Sequence, residues 1–314
     1  MPAPIVLFVY NRLIHARQTV EALQKNALAK ESDLIIYSDA PKDSSAVGAV
    51  CEVRNYVKTI AGFRSISIVE RDRNWGLANS VIDGVTTVVN QYERIIVLED
   101  DLVTSPNFLE YMNAALHHYE SDLKAFSITA YNFPEQTMLI PHDYLWDTYA
   151  AFRCCSWGWA TWSNRWQQVD WDMAYYATFM RDRTAQELFN RGGPDLTQML
   201  KWQHERRIDS WAIRFGYAHY ANQMHCIYPV KTLVANIGLD HSGTHCGVSP
   251  QWEHASIDDC WMPLKFCSAK SLDVRISQSL YHACVPPKRS IVTRILQRLP
   301  ILSRRVQSYF TGAN

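Results

Sequence analysis

Short apolar runs alternate with longer segments of helical spacing over residues 1–132. The apolar runs, rich in Val and Ile, are residues 5–10, 34–38, 66–69, 95–98 and 125–129. The segments of helical length between them are residues 18–28, 46–60, 77–91 and 106–119. This alternation is typical of parallel βαβ units, in which continuous Val and Ile runs form strands buried on both faces. The sequence therefore predicts an α/β fold with a Rossmann-like, mostly parallel sheet and helices on both faces.

The pattern changes after residue 132, where the chain becomes aromatic and irregular. Eight of the eleven tryptophans lie between Trp146 and Trp211, and residues 195–220 are the best helical candidate. The sequence contains no Gly/Ser linker or internal repeat between this part and the first. We therefore expect residues 133–285 to form an aromatic-rich half that packs on the same body as residues 1–132.

The last part of the chain, residues 286–314, has six basic residues and no acid, interleaved with aliphatic and aromatic side chains. Pro300 interrupts the segment. This pattern favours one or two short amphipathic basic helices that lie on an anionic membrane surface. The alternative is a helix that packs on an acidic flank of the protein itself.

Composition and charge exclude several classes of protein. The hydrophobic content of 47% is too high for a disordered chain, and 31 basic against 31 acidic residues argue against a nucleic-acid binder with an overall positive field. No apolar run is long enough for a membrane span, and the first residues lack the basic start of a secretory signal. Eight cysteines without CxxC spacing indicate neither a zinc module nor a disulfide framework. We expect a reducing, cytoplasmic location.

Three consecutive acids, Glu99, Asp100 and Asp101, directly follow the fourth apolar run. In parallel α/β sheets, ligands bind beyond the carboxyl ends of the strands, so chemistry is expected at this position. A bound cation or hydrogen-bonding ligand offsets the repulsion between adjacent carboxylates. Carboxylate oxygens suit Mg²⁺ or Mn²⁺ bound together with substrate phosphates. The triplet predicts a metal–diphosphate site, and the alternative is a solvated turn before the next helix.

The usual nucleotide-binding fingerprints are missing from the sequence. The chain contains no GxxxxGK[ST] motif and no GxGxxG motif after the first apolar run. A Rossmann-like sheet that lacks both loops but carries acids on its fourth strand points to sugar-nucleotide chemistry.

Several segments resemble GT-A glycosyltransferases of the N-acetylglucosaminyltransferase I type. They are residues 6–12, 35–39, 97–111, 127–132, 157–159, 208–211 and 242–245, in the order of that family. The resemblance implies the GT-A fold, with a nucleotide-sugar half at residues 1–132 and an acceptor-side half at residues 133–285. It also implies an inverting, Mn²⁺- or Mg²⁺-dependent transfer from a nucleotide donor, with UDP expected, to a glycan or glycolipid acceptor.

The resemblance assigns roles to individual residues. The last acid of the triplet, Asp101, matches the metal ligand, and Asp100 matches a contact to the donor sugar or ribose. Arg12 and Asp39 match positions that hold the base, and Asp209 matches the catalytic base. The remaining donor-binding candidates are Arg71, Asn74, Glu99, Ser242 and His245. The stretch from Arg71 to Gly76 follows the family only loosely, and Ser210 replaces a second acid after Asp209.

Two of these assignments have structural alternatives. Asp209 could instead cap a helix or pair with a neighbouring arginine, Arg206, Arg207 or Arg214. Indole rings stack on the apolar faces of sugars, which makes Trp157, Trp159 and Trp211 candidates for acceptor binding. The alternative for these tryptophans is core packing, the usual fate of the residue type.

Two other functions remain open from the sequence. A sugar-nucleotide nucleotidyltransferase also combines such a sheet with metal-binding carboxylates, but it would need a glycine-rich loop after the first strand, where Arg12 and its neighbours supply no glycine. A non-catalytic carbohydrate-binding protein would account for the many aromatic residues. The intact acidic triplet favours the glycosyltransferase, peripheral on the inner face of the cytoplasmic membrane if residues 286–314 bind lipid.

Overall fold

The computed structural model describes residues 1–240, 257 and 264–285. The chain divides into two units, Met1–Cys284 and Val285–Asn314, and all the elements named below belong to the first. The predicted basic segment, residues 286–314, lies outside the described residues.

Strands and helices alternate regularly through the first part of the chain. The strands are β1 (Ile5–Val9), β2 (Asp33–Ser38), β3 (Ser65–Glu70), β4 (Arg94–Glu99), β5 (Leu102–Thr104), β6 (Ala125–Thr129), β7 (Thr148–Ala151), β8 (Trp159–Trp162), β9 (His225–Pro229) and β10 (Val234–Asn236). The helices are α1 (Leu13–Gln24), α2 (Val47–Val57), α3 (Leu77–Tyr92), α4 (Phe108–His118), α5 (Ser163–Trp166), α6 (Tyr176–Phe179), α7 (Arg183–Phe189), α8 (Leu196–His204), α9 (Trp211–Ala221) and α10 (Val274–Ala283). Each of the predicted strands is present as β1–β4 and β6. The predicted helices correspond to α1–α4, although α1 begins earlier than expected, at Leu13, directly after the turn that follows β1.

Eight of the described strands form one sheet in the order β3-β2-β1-β4-β8-β6-β9-β7. β1 pairs in parallel with β2 and β4, β2 with β3, and β6 with β9. β8 lies between β4 and β6 and is antiparallel to both, while β7 is antiparallel to β9 at the edge. β5 and β10 form a separate antiparallel pair. Most strands of the sheet therefore point in one direction, which confirms the predicted α/β fold.

Both faces of the sheet are covered by helices. Along β1, Leu7 and Val9 pack in a core with residues of α1, α2 and α4, whereas Val6 and Phe8 pack in a second core with residues of α3 and α9. A strand buried on both faces needs apolar side chains at every position, which explains the continuous apolar run at the start of the chain.

Stacked aromatic rings hold α5 and α9 against the second face of the sheet. The ring of Trp159 on β8 lies 4.8 Å from that of Trp211 on α9 and 5.7 Å from that of Trp166 on α5. Phe215, one turn after Trp211, packs 5.1 Å from the Trp159 ring. Because aromatic pairs at these separations contribute beyond their buried area, the stack fixes α9 against the sheet.

The predicted helix over residues 195–220 consists of two helices, α8 and α9. Arg206, between them, has a φ of 56°, which lies in the left-handed region and ends the helical path. Ser210 then caps α9, since its side chain accepts a hydrogen bond from the backbone N–H of Ile213. The break leaves Asp209 in the connection, immediately before α9.

A buried histidine links α9 to the sheet. Nδ1 of His219 lies 2.8 Å from the carbonyl oxygen of Phe215 and therefore donates to it. Nε2 then accepts from the hydroxyl of Ser127 on β6, at 2.7 Å. The pKa of His219 is lowered to about 3, chiefly by burial, while the bond to Phe215 opposes the shift and the charge of His225 adds a smaller lowering. The histidine is neutral in the folded protein.

This buried histidine predicts acid-sensitive stability. The unfolded chain binds a proton at His219 near the ordinary pKa of 6.5, whereas the folded chain binds it near 3, so stabilisation is full above pH 6.5 and is lost as the pH falls toward 3. Between pH 7 and pH 5 the loss amounts to about 2 kcal/mol of unfolding free energy. Denaturant unfolding of wild type and His219→Gln at both pH values measures it. The variant, which cannot titrate there, should lose about 2 kcal/mol less, and equal losses would contradict the assignment.

Candidate functional site

The neighbouring strands β2, β1 and β4 end at the same edge of the sheet. Asp39 follows β2, Arg12 lies just after β1, and Asp100 and Asp101 follow β4. The register that pairs Phe8 with Glu99 sets β1 and β4 so that the residues after them meet. Together with Glu99, the last residue of β4, five of the predicted donor and metal residues thereby lie at the edge where such sheets bind ligands.

Arg12 joins the two aspartates of the acidic triplet. Its Nη2 donates to Asp101 Oδ2 at 2.9 Å and also forms an ion pair with Asp100. The backbone N–H of Tyr10 donates to the Asp100 carboxylate at 3.4 Å, and the hydroxyl of Thr19 on α1 donates to the Asp100 carbonyl at 2.9 Å. Burial by itself lowers the pKa of Arg12, but the two carboxylates outweigh it and raise that pKa above its ordinary value.

The first acid of the triplet has a different charge state from that of an exposed glutamate. The pKa of Glu99 is raised to about 8, chiefly by burial and also by the charges of Asp101 and Asp100, while Arg12 opposes the rise. Burial also raises the pKa of Asp100, although Arg12 counteracts the effect. At neutral pH the protonated form of Glu99 therefore predominates.

Gly238 covers the acidic pair from the side of β10. The backbone N–H of Ile237 donates to the carbonyl of Asp101 at 2.9 Å, and the Asn236 side chain accepts from the N–H of Gly238 at 2.7 Å. A side-chain carbon on Gly238 would lie only 2.1 Å from Asp101 Oδ2 and 2.9 Å from Arg12 Nη1. Only glycine fits at this position. Sequence reasoning missed its role, because the glycine signals a turn but not which residues approach it.

Asp39 and Asn74 fasten two loops of the edge together. The Asp39 carboxylate accepts hydrogen bonds from the backbone N–H groups of Trp75 and Gly76, each at 2.9 Å. The Asn74 side chain donates to the carbonyl of Ala40 at 2.7 Å. These bonds fix the loop after β3 against the loop after β2 and set the start of α3.

Arg71 lies on the α3 side of this loop. Its guanidinium sits 4.2 Å from the centre of the Trp75 ring and 4.9 Å from that of Tyr37, and it forms an ion pair with Asp83 on α3. Stacking between a cation and aromatic rings holds the side chain in place. Arg71 thus lies with Asn74 and Trp75, and its ion-pair partner is Asp83 and not an acid of the triplet.

Asp209 is exposed and lies beside the start of α3. A side-chain carbon on Gly76, whose φ is 72°, would lie 3.9 Å from Asp209 Oδ2. Ser210 caps α9, so capping does not occupy Asp209. Burial lowers the pKa of Arg214, and the charge of Asp209 acts in the opposite direction. The structure therefore brings Asp209 to the loop that Asp39 holds.

The three predicted acceptor tryptophans differ in exposure. Trp159 and Trp211 are 1% and 4% exposed within the stack against the second face, so their rings have no free face for a sugar. Core packing, the alternative, accounts for both, and their assignment to acceptor binding is corrected here. Trp157 is half-buried, with its ring edge-on to that of Tyr131 at 4.5 Å. The predicted loop residues Ser242 and His245 lie outside the described part of the chain.

Residues 1–202, more than half of the chain, match the model of the GNT-I family. The chain belongs to the GNT-I family. The resemblance to GT-A glycosyltransferases of this type is thereby confirmed, and the described sheet is the α/β arrangement expected for a GNT-I chain. Membership supports a glycosyltransferase that uses a nucleotide sugar.

Comparisons outside the family model are weaker. PcManGT, a mannosyltransferase from Pyrobaculum calidifontis in complex with GDP-Man and Mn²⁺, is 14% identical with a TM-score of 0.35, covering 51% of this chain and 46% of that one. TarS of S. aureus is 11% identical with a TM-score of 0.43, covering 76% of this chain and 37% of that one. Mouse xyloside xylosyltransferase 1, in its apo form, is 10% identical with a TM-score of 0.35, covering 71% and 82%. The GNT-I chain spans less than half of the first two. No curated protein matches it.

The close approach at Gly238 yields a test of the edge geometry. In Gly238→Ala the new methyl group must displace Asp101, Arg12 or the loop after β10, which we expect to cost about 1–3 kcal/mol of unfolding free energy. Gly48→Ala is the matched control, because no atom lies within 4 Å of a side-chain carbon there. Denaturant unfolding of both variants compares them, and an unchanged stability of Gly238→Ala would show that the loop does not cover Asp101 as described.

Proposed function

We propose that this GNT-I chain is a metal-dependent, inverting glycosyltransferase that moves a sugar from a nucleotide donor, with UDP the expected nucleotide, to a hydroxyl of a glycan acceptor. The observation that carries the proposal is one shared edge of the sheet. It holds the acids of β4 with Arg12 and, beside the start of α3, the exposed carboxylate of Asp209. Glycosyl transfer needs charge neutralisation at a departing diphosphate and a base at the acceptor hydroxyl.

The chemistry of the edge fits a divalent metal ion. The cluster has two aspartates against one arginine, and this excess of acid would repel an anionic diphosphate without a further cation. Among the described residues, no group of three His, Cys, Asp or Glu side chains could hold a metal. Mg²⁺ and Mn²⁺ are often held by one or two carboxylates plus substrate phosphates, which suits Asp101 with Asp100. When bound, the ion would act as a Lewis acid on the diphosphate oxygens.

The remaining donor contacts follow the edge. Arg12 would bind the diphosphate through the guanidinium nitrogen Nη1, which has no hydrogen-bond partner among the described residues. The loops joined by Asp39 and Asn74 would form the floor under the nucleotide, with Arg71 and Trp75 beyond it. Glu99, protonated, can donate a hydrogen bond to a donor hydroxyl. Ser242 and His245 stay predictions for a loop over the diphosphate.

Asp209 is proposed as the base. Its exposed carboxylate would take the proton of the acceptor hydroxyl while that oxygen bonds to the anomeric carbon and the bond to the diphosphate breaks. Attack from the face opposite the leaving group inverts the configuration. A depression of about 660 Å³ lies on the α3 side of Gly76, lined by residues that include Trp75, Asn74 and Asn79. This depression is a candidate surface for the acceptor, and Trp157 stays a separate candidate for acceptor binding.

The location and the nature of the acceptor remain part of the proposal. None of the described helices is both long and apolar enough to cross a membrane. The basic segment 286–314, with its alternating apolar residues, is proposed to bind an anionic membrane surface on the cytoplasmic side. An enzyme held at that surface suits an acceptor that is linked to lipid.

The exchange Asp209→Asn tests the proposal, with Asp172→Asn as the control. Asp172 is an exposed acid whose charge also acts on Arg214, but it lies in the turn before α6. We expect Asp209→Asn to bind the donor as wild type does and to lose about 10²–10⁴-fold in transfer rate, because a positioned base contributes about that much. Transfer to a glycan acceptor and donor binding by calorimetry give the two readouts.

Two results would count against the proposal. Undiminished transfer by Asp209→Asn would remove Asp209 as the base. Donor binding by wild type without any transfer or donor hydrolysis would favour the non-catalytic carbohydrate-binding alternative.

A further inference from the structure

Arg12 lies where a cation bound to the acidic triplet would compete for the same oxygens. Its side chain is 17% exposed, and one nitrogen, Nη2, contacts both Asp100 and Asp101. Each aspartate is itself almost fully enclosed. The guanidinium is therefore a fixed positive charge inside the cluster.

The other terminal nitrogen of Arg12 has no such partner. Nη1 is buried, and no described residue offers it a hydrogen-bond acceptor. Gly238 lies close to Nη1, because a side-chain carbon built on this glycine would lie 2.9 Å from that nitrogen. A buried guanidinium N–H without an acceptor is unfavourable, and an anionic oxygen is the acceptor that satisfies it best. The side chain is thus half satisfied by the aspartates and half prepared for an anion.

The pair of Arg12 with the aspartates and a contact of Nη1 with an anion would have opposite effects on the binding of a divalent ion. The charge of Arg12 lowers the attraction of Asp101 for a second cation, because like charges at such separations repel. A phosphate oxygen at Nη1 would bring negative charge to the same guanidinium and weaken its pair with Asp101. A nucleotide diphosphate would therefore both loosen the pair of Arg12 with Asp101 and supply ligands of its own.

We propose that Arg12 is a resident counter-cation that makes divalent-ion binding at Asp101 depend on the nucleotide diphosphate. Without nucleotide, Arg12 occupies oxygens of both aspartates, so the affinity of Asp101 for the ion is low. With nucleotide, Arg12 would turn to the phosphate and leave Asp101 free to hold the ion. The inference rests on the proposed function for the identity of the ligands. The effect of Arg12 is on the order in which nucleotide and ion bind.

The first experiment tests whether Arg12 weakens ion binding in the absence of nucleotide. Mn²⁺ is titrated into the full-length protein, and the electron paramagnetic resonance signal of free Mn²⁺ is followed. Arg12→Met should bind Mn²⁺ at least tenfold more tightly than wild type. Arg12→Lys keeps the positive charge and should stay near wild type. Arg64→Met is the matched control: Arg64 forms the same kind of pair with Asp33 at the opposite end of β2, so its loss should leave Mn²⁺ binding unchanged.

The second experiment tests whether nucleotide diphosphate tightens ion binding. Each titration is repeated with UDP and with GDP and corrected for Mn²⁺ bound by the free nucleotide. Wild type should bind Mn²⁺ at least tenfold more tightly with the preferred nucleotide, and this coupling should shrink at least tenfold in Arg12→Met. If Arg12→Met does not fold, Arg12→Gln takes its place in both titrations.

Equal Mn²⁺ affinity in wild type and Arg12→Met without nucleotide would overturn the proposal, as would coupling of the same size in both. Failure of the proposed function has a different signature. If Arg12→Met leaves Mn²⁺ affinity unchanged in a protein that transfers sugar, only the proposed role of Arg12 is refuted. If Arg12→Met changes Mn²⁺ affinity in a protein that transfers no sugar, only the proposed enzyme activity is refuted.

Discussion

Two adjacent aspartates buried at the end of a strand repel each other, and the ion pair with Arg12 is what makes the arrangement stable. That pair exists because β1 and β4 are direct neighbours, paired in parallel with Phe8 opposite Glu99. The strand order of the sheet is therefore a condition for the site. The position of Gly238 has a related origin. β5 follows Asp101 directly, and β10 pairs with β5, which brings Gly238 close to the acidic pair.

The second half of the site depends on a different set of interactions. The position of Asp209 is set by α9, which follows it directly and is capped by Ser210. Two contacts fix α9 against the sheet: Trp211 stacks on Trp159, and His219 is hydrogen-bonded to Ser127. The aromatic residues that suggest a sugar platform in the sequence thus serve chiefly as the support of the proposed base. Core packing on one face therefore positions Asp209, and the ion pair at the strand ends positions Asp100 and Asp101.

The sequence predicts the local features of this protein well. Apolar runs mark β1 to β4 and β6, and the acids after β4 mark the edge, because both are properties of a few consecutive residues. The antiparallel insertion of β8, the burial of Trp159 and the approach of Gly238 to Asp101 arise from contacts between distant segments, which periodicity does not encode. The pairing of Arg12 with the aspartates belongs with these. The family resemblance names Arg12 for nucleotide binding but gives no sign of its neighbour.

The central claim is that one edge of the sheet binds a nucleotide sugar through a metal held by Asp101. A panel of nucleotide sugars, each with and without Mn²⁺, measured by thermal unfolding of wild type and Asp101→Asn, tests it directly. A ligand near a hundred times its Kd should raise the Tm of wild type by about 5 °C only when Mn²⁺ is present, and Asp101→Asn should lose that rise. A Tm that no nucleotide sugar raises with Mn²⁺, or a rise of equal size in Asp101→Asn, would contradict the account.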